Sequence, residues 1–327
     1  ANDNTAVGHS ALKVNTTGNQ NTAVGAFALD ANTTATQLTA VGYNSLSNNT
    51  TGSNNTALGR SALLSNTTGN NNTAVGYNAL ISSTGSSLTA VGAGALDANT
   101  SANNNTAVGR NALGLTTTGG ENTAIGQACL DANTTGIRNT GVGDQALSSS
   151  TTSDNNTAIG YKSLLSNTSG SENTAVGSLA LDASTTATFN TSIGYFSSSA
   201  LTTGGFNTVV GGNALTNSTD GVNNVSIGYN SLNQNTSGQE NVAVGFAALD
   251  ANTTGTLNTA IGNNALTSAT TVSRQVAVGN GALQSCTTGP DNNALGHGSL
   301  NSVTTGGFNT GLGHSAAPSL TTGSSNI

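Results

Sequence analysis

An all-β parallel β-solenoid, wound in 17-residue rungs, is the fold this sequence predicts. Three observations carry the prediction: a repeat of constant length, a composition without bulky core residues, and strand formers punctuated by Gly and Asn at fixed places. The repeat is anchored on the Gly closing each Thr-Ala-Val-Gly-like segment, which recurs nineteen times from Gly8 to Gly313. Every step is 17 residues except one of 16, between Gly76 and Gly92. No linker or second domain is visible in 1–327, so the chain reads as one solenoid. Solenoids need atypical capping repeats; neither end shows one, which is expected of a piece of a longer fibre or of a rod whose caps are separate domains.

Composition narrows the classes. Aromatics are 3%, charged residues 6%, Met and Trp are absent and Gly numbers 43. Disorder would come with high charge and no regular apolar spacing. The net charge of -7, with six Lys plus Arg, leaves no basic stripe for nucleic acid. No apolar run is long enough to span a membrane, and no charged-then-apolar leader opens the chain. Two Cys make no disulfide framework.

Within one rung the elements follow in order, counted from the anchor Gly. Helical repeats need about 33 to 47 residues per unit, so a shorter unit rich in Val and Thr reads as strand, turn, second short strand and loop. Position −4 is Asn except at Leu38, Leu88 and Gln275. Asn21, Asn55 and Asn72 belong to this column, expected to stack amide on amide as a structural ladder. Position −2 is small, usually Ala, with Val209 the largest, and position −1 is always Val, Ile or Leu. The anchors, among them Gly25, Gly42 and Gly59, mark a bend where a Cβ would clash or φ is positive. Ala, Ser or Cys129 follows at +3, Leu at +4 except Ser198 and Ala317, and Thr at +8 in every rung. At about 4.8 Å per rung the stack would extend about 90 Å.

Adjacent strand residues point to opposite faces, yet both members of the Ala-Val pair are apolar. One face is therefore expected to pack inside the rung and the other against another chain, most simply in a parallel homotrimer. The variable columns are expected to face solvent, and they hold every charge. Position +1 carries Tyr43, Tyr77, Tyr161, Tyr195 and Tyr229, with Phe246, Arg60, Arg110, Asp144 and all three His. These form the candidate contact column, able to stack on cell-surface glycans or a receptor protein; the plainer reading is that they shield the bend and the seam.

The remaining candidates carry less. His297 and His314 lie on adjacent rungs, but two nitrogens fall short of a metal site. Asp30, Asp97, Asp131, Asp182 and Asp250 share a column too widely spaced for one ion or an acid/base pair, and read as solvated charges against lateral aggregation. Phe189 and Phe206 are expected to stack. Cys129 reads as a buried thiol and Cys286 as a loop residue; at about 43 Å apart they cannot bond. No catalytic constellation, metal or cofactor is expected.

The "NTAVGxxAL" segments with their "NTTG" loops, over all nineteen rungs, resemble the YadA-like heads of trimeric autotransporter adhesins and the tail-fibre and surface-fibre repeats of phages and bacteria. The resemblance implies a left-handed β-roll, a trimer, and a non-catalytic adhesive or spacer shaft outside the cell or on a virion. The period is longer than in the adhesin heads, and no coiled-coil stalk or membrane anchor is visible here, which favours the tail-fibre side. Two alternatives stand beside it. An ice-binding solenoid would use the Thr pairs, although adjacent side chains diverge; a polysaccharide-active β-helix enzyme would need a carboxylate cluster that is missing.

Overall fold

The computed structural model describes residues 2–327. Among them are nineteen three-residue strands, from β1 (Thr5–Val7) to β19 (Thr310–Leu312), and no helix. Contacts group the chain into two units, Ala1–Lys162 and Ser163–Ile327. The first holds β1 to β10 (Thr157–Ile159) and the second β11 (Thr174–Val176) to β19. Within each unit every strand pairs in parallel with the next, displaced by one rung: Thr39, Ala40 and Val41 face Thr56, Ala57 and Leu58 in the first, and Thr259 faces Val276 in the second. The parallel β-solenoid is thus the observed fold.

The strands are short because only three residues per rung have β geometry to spare. The central residue, usually Ala, is fully buried, while its β-branched neighbours stay partly exposed. The anchor Gly then turns the chain. Gly42 sits at φ 138°, and a Cβ there would lie 2.5 Å from the Gly59 carbonyl oxygen of the next rung. Both expected reasons for Gly therefore operate at once.

The second strand expected after the bend is absent. The Ala-Leu segment forms stacked turns in which Leu29 and Leu46 have φ of 51° and 49°. A left-handed conformation costs an L-residue about 1–2 kcal/mol, and burying a Leu side chain returns about 1.5–3 kcal/mol. These leucines are fully buried, so packing outweighs the local preference. Position +2 is left-handed too, as at Phe27 and Asn44. Asn recurs there, and Gly94, Gly281 and Gly298 occupy the same place. The column varies in side chain but not in backbone.

Six columns point inward: −4, −2, +3, +4, +7 and +10. The +7 column corrects the sequence reading, which placed it in an outer loop. Asn32, Ser150, Leu201, Cys286 and Val303 are all fully buried there. Inner substitutions are matched to one another. Gly141 stands where most rungs have Ala, and a Cβ on it would lie 2.5 Å from Cys129 Sγ. Ser192 Oγ donates to Ser197 Oγ at 2.7 Å where most rungs pair two alanines. Ser198 replaces a core Leu, and the same neighbourhood gains buried Leu201 and Val209.

The 16-residue step shows which residue a rung can spare. The Ser83-Thr84-Gly85 turn lacks the second, outward residue, mostly Thr, of other rungs. Thr84 still donates its hydroxyl to Thr100 O at 2.8 Å, and Thr73 still faces Thr89.

Candidate functional site

The inside of the rung is a polar scaffold. In the −4 ladder, Asn55 accepts the Asn72 backbone N–H at 2.9 Å through Oδ1, and its Nδ2 donates to Gly69 O at 2.8 Å. Asn21 does the same with Leu38 N and Ala35 O, both at 3.0 Å. The expected amide-to-amide contact is present as well, Asn139 Nδ2 donating to Asn122 Oδ1 at 3.2 Å. Each Asn thereby serves two backbone groups that the three-residue strands leave unpaired.

The +7 ladder is a second amide stack that the sequence reading missed. Asn32 Nδ2 donates to Asn15 Oδ1 and Asn66 Nδ2 to Asn49 Oδ1, each at 2.9 Å. It breaks where the following rung has a shorter side chain. Asn133, Asn167 and Asn252 precede Ser150, Ser184 and Ala269, and the Oδ1 of each is buried without a partner.

At +8 the Thr hydroxyl is spent on the next rung, as in Thr50 Oγ1 donating to Thr67 O at 3.0 Å. The first Thr of each pair therefore offers little to an outside lattice. The outer side of the strands carries instead mostly Thr at −3, with Val225, Val242, Val276 and Asn293 the exceptions, and Val, Ile or Leu at −1. Ile125 is 42% and Ile227 37% exposed, so the ladder of large apolar side chains lies uncovered along each unit.

The +1 column is exposed, as expected, but its rings are occupied by one another. The Arg60 guanidinium lies 5.9 Å from the Tyr43 ring centre and 5.8 Å from that of Tyr77, sandwiched between them. Tyr161 has Lys162 Nζ at 5.1 Å, Tyr195 meets Phe196 edge-on, and Tyr229 stacks on Phe246 at 5.9 Å. Arg110 is exposed. Faces needed to stack on a sugar are in part already used, and the Tyr229 hydroxyl accepts from Asn213 Nδ2 at 3.3 Å. Phe189 and Phe206 stack at 4.9 Å with planes 7° apart, as expected. The rings of His297 and His314 stack likewise at 5.0 Å.

The aspartate column departs from the solvated-charge reading. Asp97, Asp131 and Asp250 are half-buried, and burial pushes each carboxyl above its ordinary value; the charge of Asp97 adds to this at Asp131. Asp250 Oδ1 is buried without a partner. Asp291 behaves oppositely: its hydrogen bond from Arg274, at 2.7 Å, holds it below the usual range. Burial pushes the Cys129 thiol up to about 12, and that of Cys286 up as well. Neither is a nucleophile near neutrality.

Among the described residues there is no pocket and no group of three His, Cys, Asp or Glu placed to hold a metal. No helix among them is long and apolar enough to cross a membrane. No protein-family model matches the chain, and no curated protein is detectably similar to it.

Proposed function

We propose that the chain is the structural and adhesive shaft of an extracellular or virion fibre, assembled as a parallel homotrimer and without catalytic activity. The observation that carries this reading is the uncovered −1 ladder of Val, Ile and Leu on in-register strands. A continuous apolar row of this kind is stabilised when a second row covers it, and small, uncharged flanking residues permit close approach. Parallel copies would bring identical rungs level with one another. The +1 side chains, with Tyr43, Tyr77 and Arg60 among them, would flank the seam and offer ring edges, hydroxyls and guanidinium groups to a glycan or receptor protein.

Light scattering tests the assembly. The expected mass is three times the 31.8 kDa chain; the mass of one chain would overturn it. The adhesive role is tested by binding to arrayed glycans and host-surface proteins, with Tyr43→Ala and Tyr77→Ala expected to lower it.

The −3 threonines favour a second reading, ice binding. They stand on the outer face and their hydroxyls are not used within the rung, unlike those at +8. Thermal hysteresis in a single-chain preparation would support it; its absence at high concentration would end it.

A further inference from the structure

The +7 ladder coincides with a modification signal. Nine rungs, from Asn15 to Asn252, read Asn-Thr-Thr or Asn-Thr-Ser from position +7. That is the acceptor pattern for N-linked glycosylation, which ordinarily marks a surface loop. Here the pattern and the location disagree. Asn32, Asn49, Asn66, Asn133 and Asn252 are fully buried. Asn49 Nδ2 also spends both of its hydrogens inside, on Gly52 O at 2.9 Å and Asn32 Oδ1 at 3.4 Å. A second set of acceptor patterns lies outside: Asn54, Asn71, Asn104 and Asn155, each one residue before the −4 ladder, are exposed and followed two residues later by Thr.

We infer that glycosylation and folding exclude one another at the +7 asparagines, whereas the folded rung accepts a glycan at Asn54, Asn71, Asn104 and Asn155. In the transfer, Nδ2 of the acceptor bonds to the anomeric carbon of a lipid-pyrophosphate-linked oligosaccharide. The bond from that carbon to pyrophosphate oxygen breaks, lipid pyrophosphate leaves with the electron pair, and one amide proton passes to the enzyme's base. At Asn49 the product would lack one of the two N–H groups the ladder uses. It would also require a sugar where neighbouring rungs leave no space. At Asn54 the same product points into solvent. A +7 glycan thus acts as a block on folding, and a cell that adds sugars to the unfolded chain would make it in a form that cannot wind. This holds whatever the chain binds.

The test uses the full chain, unfolded in urea, diluted into an oligosaccharyltransferase with its lipid-linked donor, then refolded and separated into folded and unfolded fractions. Mass spectrometry maps the sugars. The folded fraction is expected to carry them at Asn54, Asn71, Asn104 and Asn155 and to be depleted at least tenfold at +7; the unfolded fraction is expected to be rich in +7 sugars. The triple variant Thr34→Val, Thr51→Val, Thr68→Val removes three acceptor patterns through exposed side chains and leaves the buried Asn in place. It is expected to raise the folded yield after glycosylation while leaving the yield without enzyme unchanged. A +7 glycan in the folded fraction, exclusion of the outer set from it, or no gain from the triple variant would overturn the inference.

Discussion

Two asparagine ladders run through the same rungs, and they differ in whom they serve. The −4 side chains bond chiefly to backbone: Asn139 donates to Ser153 O at 2.7 Å and accepts Asn156 N at 3.0 Å. The +7 side chains bond to their own turn and to the next +7 residue, as Asn252 does to Gly255 O and Asn235 Oδ1. Backbone groups exist in every rung whatever its sequence, so the −4 column stays amide nearly throughout. A side-chain partner exists only if the next rung supplies it, so the +7 column drifts to Ser, Thr, Leu, Ala, Cys and Val. An amide aimed at backbone is fixed by the fold; an amide aimed at another amide is fixed by its neighbour.

Breaking the first ladder has the largest expected effect. Asn139→Ala strands a buried carbonyl and an N–H, and at about 1–3 kcal/mol for each orphaned group the loss is about 2–6 kcal/mol by urea unfolding. Next comes Cys286→Asn. Its +7 neighbours, Ala269 and Val303, supply no partner for a new Oδ1, so a loss of about 1–3 kcal/mol is expected. The same replacement at Ser184 should cost less. It offers Asn167 Oδ1 a donor but leaves its own Oδ1 facing Leu201, so the orphan moves up one rung and the net change is expected to be within about 1 kcal/mol of zero. If both Asn variants lower the urea midpoint equally, the neighbour rule is wrong.

The smallest expected effect concerns the half-buried aspartates. Their folded pKa values lie above 3.8, so the folded chain holds these protons more tightly than the unfolded one. Their contribution is full below that value and is lost as pH rises through the folded pKa. Asp250→Asn should flatten this part of the pH–stability curve. A curve unchanged by the substitution would mean that the carboxyl is solvated after all.

How much of this was legible depends on what kept each column constant. The anchor Gly, the inner Ala and the −4 Asn were readable because backbone geometry forces them, and geometry repeats. Position +7 was not, because occupants from Asn32 to Val303 looked like the variation of a surface. The second strand was misread at Leu29 and its equivalents: an apolar pair signals burial but not the sign of φ. The occupied faces of Tyr43 and Tyr77 depended on Arg60 lying between them, which no column in isolation reveals.

The fit of Cys129 to Gly141 has a consequence for winding. A sequence this repetitive could skip a rung and still set Asn on Asn and Gly on Gly, much as a zip can close one tooth out of step. Looping out the rung of Gly143 would bring Ala158 to the place of Gly141, with its methyl against the sulfur. The irregular rungs are therefore the marks by which a nearly uniform chain keeps count of itself.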